Sequence, residues 1–204
     1  MPPRKPRLKV IRRLGTALPG LTRKAPEWKT YPPGQHGVSV KRKKSSTYRT
    51  RLEEKQKLRY NYLISERQLR GYFERAAKES GPTGENLLAQ LERRLDNVVF
   101  RLGIAPTIPA ARQLVAHGHV RVNGRRLDRA SYQVEVGDTV TVGEKARKNA
   151  TVQSNVERGP EVRLPSFLAI DPDDKFTGRV IGKPERNDVS LVVDEAAIVE
   201  FYAR

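Results

Sequence analysis

The chain has 204 residues, 37% hydrophobic and 31% charged, and no cysteine, which leaves room for one or two modest domains and excludes a disulfide scaffold or a thiolate metal site. Forty Lys and Arg against 23 Asp and Glu give a net charge of +17. No stretch approaches the roughly 18 apolar residues that span a bilayer, so the expected partner is a polyanion rather than a membrane.

The charge is unevenly placed. Residues 1–50 hold fourteen of the basic residues and a single acid, Glu27. The arm 1–46 is rich in Pro, Gly, Lys and Arg and has no sustained apolar period. Such an arm repels itself in water; a polyanion relieves that repulsion, and the counterions it releases drive binding. The opening MPPRKPRLKVIRRLGTALPGL lacks the apolar stretch of a signal peptide. Its four prolines spoil the amphipathic helix of an organellar presequence, so a cytoplasmic location is expected. YPPGQHG (31–37) is turn chemistry. KRKKSS (41–46) is a charge run, and the arm is expected to be ordered by its nucleic acid.

Residues 47–80 read as helical. Thr50-x-x-Glu53 and Ser65-x-x-Gln68 fit capping boxes, and Gly81-Pro82 ends the segment. Basic side chains line its polar faces among interspersed acids. Of these, Arg59 and Arg70 are candidate RNA contacts. GENLLAQLERRLDNVVFRLGI (84–104) reads as one helix with the apolar stripe Leu87, Leu91, Leu95, Val98 and Leu102. Arg93, Asn97 and Arg101 are four apart and share a second stripe, which either grips phosphates or faces water.

TIPAARQLVAHG (107–118) comes next as a shorter helix with Thr107 as N-cap and Gly118 as its stop. His117 and His119 straddle that stop. With no nearby acid or cysteine, and with basic neighbours, they do not make a closed metal site. In HVRVNGRRL (119–127), Asn123-Gly124 signals a two-residue type I′ hairpin. That turn sets Val122 opposite Arg125, Arg121 opposite Arg126, and Val120 opposite Leu127. Like charges directly opposed across strands are unfavourable, and a phosphate backbone over Arg121 and Arg126 would relieve the repulsion.

SYQVEVGDTVTV (131–142) reads as two short strands, 143–165 as polar and irregular, and FLAID (167–171) and GRVIG (178–182) as strands. KPERND (183–188) is a turn, and Asp194 caps a last helix. Asp171, Asp173 and Asp174 lack the ligand spacing of a calcium loop. No phosphate-binding glycine loop, nucleophile elbow or zinc-protease motif is present, and the residues left outside the arm and the small α/β unit are few for a catalytic domain. The residues therefore point to a nucleic-acid binder without cofactor. With no recognition helix or dimerisation heptads, a folded RNA fits better than regular duplex DNA.

The motifs PGQHG (33–37), EKQKLR (54–59), TGENLLAQLERRLDNVVFRLG (83–103), ARQLVAHGHVRVNGRRL (111–127), SYQVEVGD (131–138), KPER (183–186) and IVEFYAR (198–204) resemble the bacterial small-subunit ribosomal protein number four family, in order and over nearly the whole chain. Segment 92–142 is similar to the RNA-binding module that takes its name from that family. An RNA-modifying enzyme carrying the same module is the alternative. The resemblance implies an α+β fold with three parts. A mostly helical domain (47–91 with 176–204) carries an inserted small α/β RNA-binding module. That module has two helices and short, largely antiparallel strands, and with the strands after it covers 92–175. The basic extension is 1–46.

The resemblance also implies a structural protein that binds the 5′ domain of small-subunit rRNA and acts early in assembly. It would lie beside the path of the entering mRNA and touch ribosomal proteins number three and number five. Arg94, Arg112, His117, Arg121 and Asn123 match the module's RNA-facing positions, and Arg125 and Arg126 adjoin them in the hairpin. Lys41, Arg42, Lys43, Lys44 and Arg49 fall where the family faces the message. Glu200 matches a position near protein number five, where the family influences decoding accuracy. Many members fold the N-terminal segment around zinc through four cysteines, a site this chain cannot form. Where the family often has a basic residue after the threonine of the second module helix, this chain has Ile108.

Overall fold

A computed structural model of the chain describes residues 7–24, 29, 31–38 and 46–203. Two compact units result: residues 1–87 with 191–204, and residues 88–190. Residues 176–190, expected with the helical domain, instead belong with the sheet, because a strand within them pairs there.

The first unit is helical. α1 (Arg7–Leu14) buries Val10 and Ile11, and Leu18 and Leu21 beyond it are also buried. The amide of Gly20 donates to Asn61 Oδ1 at 3.0 Å, and Arg12 Nε donates to the Tyr31 carbonyl at 3.0 Å. The described part of the arm is thus folded onto its own unit, a correction to the reading of 1–46 as an extension ordered only by RNA. Its four buried aliphatics supply the apolar surface that the surrounding arginines conceal.

α2 (Thr47–Asn61) starts one turn earlier than Thr50-x-x-Glu53 suggests. Ser46 is the N-cap and accepts from the Arg49 amide, while Thr50 donates back to the Ser46 carbonyl from inside the helix. α3 (Glu66–Ala76) has the expected box between Ser65 and Gln68. α9 (Glu195–Tyr202), capped by Asp194, packs on α2. Between them lies a buried cation: Lys55 Nζ is 2.8 Å from Glu66 Oε1 and 4.4 Å from the Phe201 ring centroid. The Tyr202 hydroxyl donates to the same Glu66 oxygen at 2.9 Å. Burial first, and then that bond, hold the Tyr202 hydroxyl protonated well beyond the usual phenol range.

α4 (Thr83–Glu92) begins in the first unit and ends in the second. The second unit contains α5 (Leu95–Arg101), α6 (Ile108–Ala116), α7 (Glu144–Arg147) and α8 (Ala150–Arg158). Its sheet comprises β1 (Val120–Val122), β2 (Arg125–Leu127), β3 (Thr139–Val142), β4 (Leu168–Ile170) and β5 (Thr177–Val180). The sheet is antiparallel throughout, in the order β2-β1-β3-β5-β4.

The stripe from Leu87 to Leu102 is buried as its period requires, but the single helix expected over 84–104 is broken. Arg94 takes an extended backbone, φ −66° and ψ 136°. The reason is a distant competitor. Segment 130–134 accepts from the Leu95 amide at Tyr132 O (2.9 Å) and from the Asp96 amide at Ala130 O (3.2 Å), and its Val134 amide donates to Arg93 O (2.9 Å). That segment makes one bridge, Gln133 to Arg94, rather than the expected strand.

The stretch 143–165, expected to be irregular, holds α7 and α8, with Asn149 capping α8 and Ala146 and Val152 buried. At Gly178 an added Cβ would lie 2.4 Å from Leu102 Cδ2, so the sheet reaches α5 only where no side chain intervenes.

KPERND ends in a short 3₁₀ turn (Arg186–Asp188). Asp188 accepts from the Ser166 amide (2.6 Å), the Ser166 hydroxyl (3.0 Å) and the Glu185 amide (3.0 Å). Burial raises its pKa, but these bonds and the charge of Arg101 outweigh that and hold it below the ordinary 3.8. Asp174 is lowered in the same way: the bonds from Thr177, Arg147 and the Phe176 amide outweigh its desolvation. A depressed folded pKa contributes stability that is complete above the unfolded value and lost as pH falls through the folded one. Urea unfolding from about pH 5 to about pH 2 should therefore show a steep loss below the ordinary carboxyl range. The double variant Asp174→Asn, Asp188→Asn should flatten that limb, whereas parallel curves would assign the acid sensitivity to other groups.

Candidate nucleic-acid interface

The hairpin has the register set by its turn: Val120 opposite Leu127, Arg121 opposite Arg126, Val122 opposite Arg125. Asn123 and Gly124 have φ of 50° and 77°, the left-handed pair of a type I′ turn. Asn123 also pins the turn to the strand behind it. Its Nδ2 donates to Asp138 Oδ1 at 2.7 Å, and its Oδ1 accepts from the Thr139 amide at 2.9 Å. The Asn123 side chain is exposed, but its principal bonds are internal.

Arg121, Arg125 and Arg126 are all exposed. The repulsion expected between Arg121 and Arg126 is eased by where Arg126 goes. Its guanidinium lies over Gly118, where an added Cβ would sit 1.9 Å from Nε, and Nη2 reaches the His117 carbonyl at 3.5 Å. A cation there also faces the negative end of the α6 dipole. Gly118, with φ 71°, serves both as helix stop and as the floor for this arginine. His117 is exposed at the α6 C-cap, its ring edge-on to His119 with centroids 6.1 Å apart.

The same unit holds a buried charge frame. Asp96 is 0% exposed and Arg94 2%. Arg94 binds Asp96 through Nε (3.0 Å) and Nη2 (2.8 Å), and Arg112 binds the same carboxylate through Nε (3.0 Å) and Nη2 (2.6 Å). Beside this, Glu92 accepts from Asn97 Nδ2 (2.7 Å) and twice from Arg101, at 3.0 and 2.8 Å.

Two members of the stripe of Arg93, Asn97 and Arg101 therefore face neither phosphate nor water, and the third, Arg93, is half-buried. Asn97 and Arg101 are buried, and Arg93 Nε donates to the Val134 carbonyl at 2.9 Å. Arg94 is likewise corrected from an RNA-facing side chain to an interior one. Two guanidiniums on one carboxylate leave a net positive charge, and Arg112 carries it towards the surface, its side chain 17% exposed. Ile108 is buried and offers no phosphate contact.

In the helical unit, Arg49 is exposed and pairs with Glu53 at 2.8 Å. Arg70 faces Glu74 at 3.4 Å, and Arg59 donates weakly to Gln56 at 3.4 Å. Glu200 is paired with Arg51 yet remains about half exposed. Lys41, Arg42, Lys43 and Lys44 lie outside the described residues. Exposed cations that sequence reasoning did not single out include Arg129, Lys145, Lys148 and Lys183. Nothing local distinguishes them from solvated charges. No described helix is long and apolar enough to cross a membrane.

Residues 3–92 match the profile of the ribosomal protein S4/S9 N-terminal domain, and residues 93–140 match the S4 domain. The chain is 55% identical over 201 residues to the small ribosomal subunit protein uS4 of Thermosynechococcus vestitus, covering 98% of this chain and 97% of that protein. It is 54% identical to the protein of the same name from Trichormus variabilis, with the same coverage. The one from Synechococcus sp. RCC307 is 52% identical, over 97% and 96%. The alternative of an RNA-modifying enzyme falls here, since the module is accompanied by a ribosomal N-terminal domain and not a catalytic one. With both profiles matched in order and relatives aligned end to end, the chain belongs to the small ribosomal subunit protein uS4 family.

Proposed function

We propose that this chain, a structural protein of the small ribosomal subunit, binds the 5′ domain of small-subunit rRNA directly and early in assembly. The observation that carries the reading is the hairpin. Arg121, Arg125 and Arg126 stand exposed on a two-residue turn braced by Asn123, and Arg112 adds the open end of a buried charge frame. A braced hairpin holds its cations at fixed spacing, which favours a folded RNA of matching phosphate spacing over a flexible one. Arg94 acts from inside by holding Asp96, which ties α5 to Arg112 of α6, and Arg101 by tying α5 to Glu92, while His117 offers a hydrogen bond at the helix end.

The basic arm, with Lys41–Lys44 and Arg49, borders the entering mRNA. Arg59 and Arg70 add phosphate contacts on the helical unit. Glu200, near the C-terminus, faces ribosomal protein number five and contributes to decoding accuracy, and protein number three is a further neighbour. The location is the cytoplasm, on the ribosome.

Hydroxyl-radical footprinting of full-length small-subunit rRNA tests this reading. Protection is expected at a helical junction of the 5′ domain. Protection scattered over the rRNA, or equal affinity for an unrelated duplex, would overturn it.

A further inference from the structure

We propose that the open depression on the second face of the hairpin seats an unpaired nucleobase. It is lined by Val122, Asn123, Arg125, Leu127 and Tyr132. Pairing in the hairpin puts Val120, Val122, Arg125 and Leu127 on one face and Arg121 and Arg126 on the other. Arg121 and Arg126 are therefore on one side of the two strands, and the depression, with Arg125 in its wall, is on the other. Val122 is buried and forms a floor, while Tyr132 is 36% exposed. Its backbone is fixed by the Leu95 amide at 2.9 Å and by its own bond to Arg129 O at 3.0 Å.

An aromatic ring and a guanidinium at a shallow apolar site are the two groups on which bases stack. Asn123 is a wall rather than a reader, because its amide is occupied by Asp138 and Thr139. β2 is an edge strand of the sheet. In a two-residue hairpin the pair next to the turn is the hydrogen-bonded one, so the following pair, Arg121 and Arg126, is not. The Arg126 amide and carbonyl then point outward along the rim, where the edge of a seated base can bond. Charge favours a nucleotide as the occupant: Arg125 in the wall is exposed, whereas Asp138, the acid bonded to the lining residue Asn123, has a carboxylate oxygen taken up by that bond. A nucleotide brings both the flat ring and the phosphate that this combination needs.

The inference rests on the RNA-binding reading and is tested with the full chain on two RNAs: a stem carrying a single bulged 2-aminopurine nucleotide, and the same stem fully paired. The parent should bind the bulged RNA more tightly and quench its fluorescence. Tyr132→Ala should lose about five- to a hundredfold on the bulged RNA and nothing on the paired one. Tyr132→Phe should behave as the parent. If circular dichroism shows Tyr132→Ala unfolded, Tyr132→Leu and Arg125→Ala carry the comparison, and each should reduce the preference for the bulge. Parent binding with no preference for the bulge, or a preference kept by these variants when folded, overturns the nucleobase seat alone. Failure to bind either RNA overturns the RNA-binding reading with it.

Discussion

Replacing Asp96 with alanine is expected to destabilise the sheet-bearing unit by about 3–5 kcal/mol, a large part of what holds a domain of this size together. Asp96 is wholly buried and accepts two bonds from Arg94 and two from Arg112, as well as the Asn97 amide at 3.0 Å. Removing it leaves the Arg94 charge inside with neither its counter-charge nor water, and desolvating an uncompensated ion costs more than any surface bridge returns. Arg112→Ala is the contrast. Asp96 keeps Arg94, the lost guanidinium lay partly in water, and the cost should be about 1 kcal/mol. The readout is hydrogen exchange on peptides spanning α5 and α6, with the peptides of α2 and α3 as an internal control. Asp96→Ala should speed exchange across the whole sheet-bearing unit, and Arg112→Ala should barely change it. Equal small effects from both would mean that Asp96 is not the keystone of the frame.

That frame shows where the sequence was legible and where it was not. Signals that act within a few residues could be read in full: the Ser65 box, the Thr107 and Asp194 caps, the Gly118 stop, and the Asn123-Gly124 turn with the register it imposes. Each is closed within about one helical turn or one short hairpin, so the residues that decide it sit close together in sequence.

The misreadings share the opposite property. The helix over 84–104 breaks at Arg94 because carbonyls near residue 130 compete for its amides. The segment after α1 is buried at Leu18 and Leu21, and Gly20 bonds Asn61, 41 residues away. Arg94 and Arg101 read as surface cations because arginine usually is one; Asp96 lies two residues from Arg94, but only the fold buries that pair and brings Glu92 to Arg101. Tyr132 carries no local signal for the same reason, since its partners in the depression come from the hairpin.

The largest expected effect on binding comes from the hairpin itself. The triple variant Arg121→Gln, Arg125→Gln, Arg126→Gln should bind cognate rRNA about a hundredfold more weakly at about 0.15 M salt. Each phosphate neutralised contributes about 0.7–0.9 to the slope of log K against log salt, so three lost contacts should reduce the slope by about 2–3. Stability should change little, because all three side chains are exposed and the lost like-charge pair Arg121–Arg126 offsets the lost Arg126 contact at the α6 C-terminus. A thermal melt separates this outcome from a structural role. The salt axis separates phosphate contact from base reading: counterion release contributes nothing near about 1 M salt, so the gap there should shrink to what Arg125 adds by stacking on a base. A gap at that concentration larger than that of Arg125→Ala alone would mean that Arg121 and Arg126 touch base edges, and that the hairpin reads sequence as well as shape.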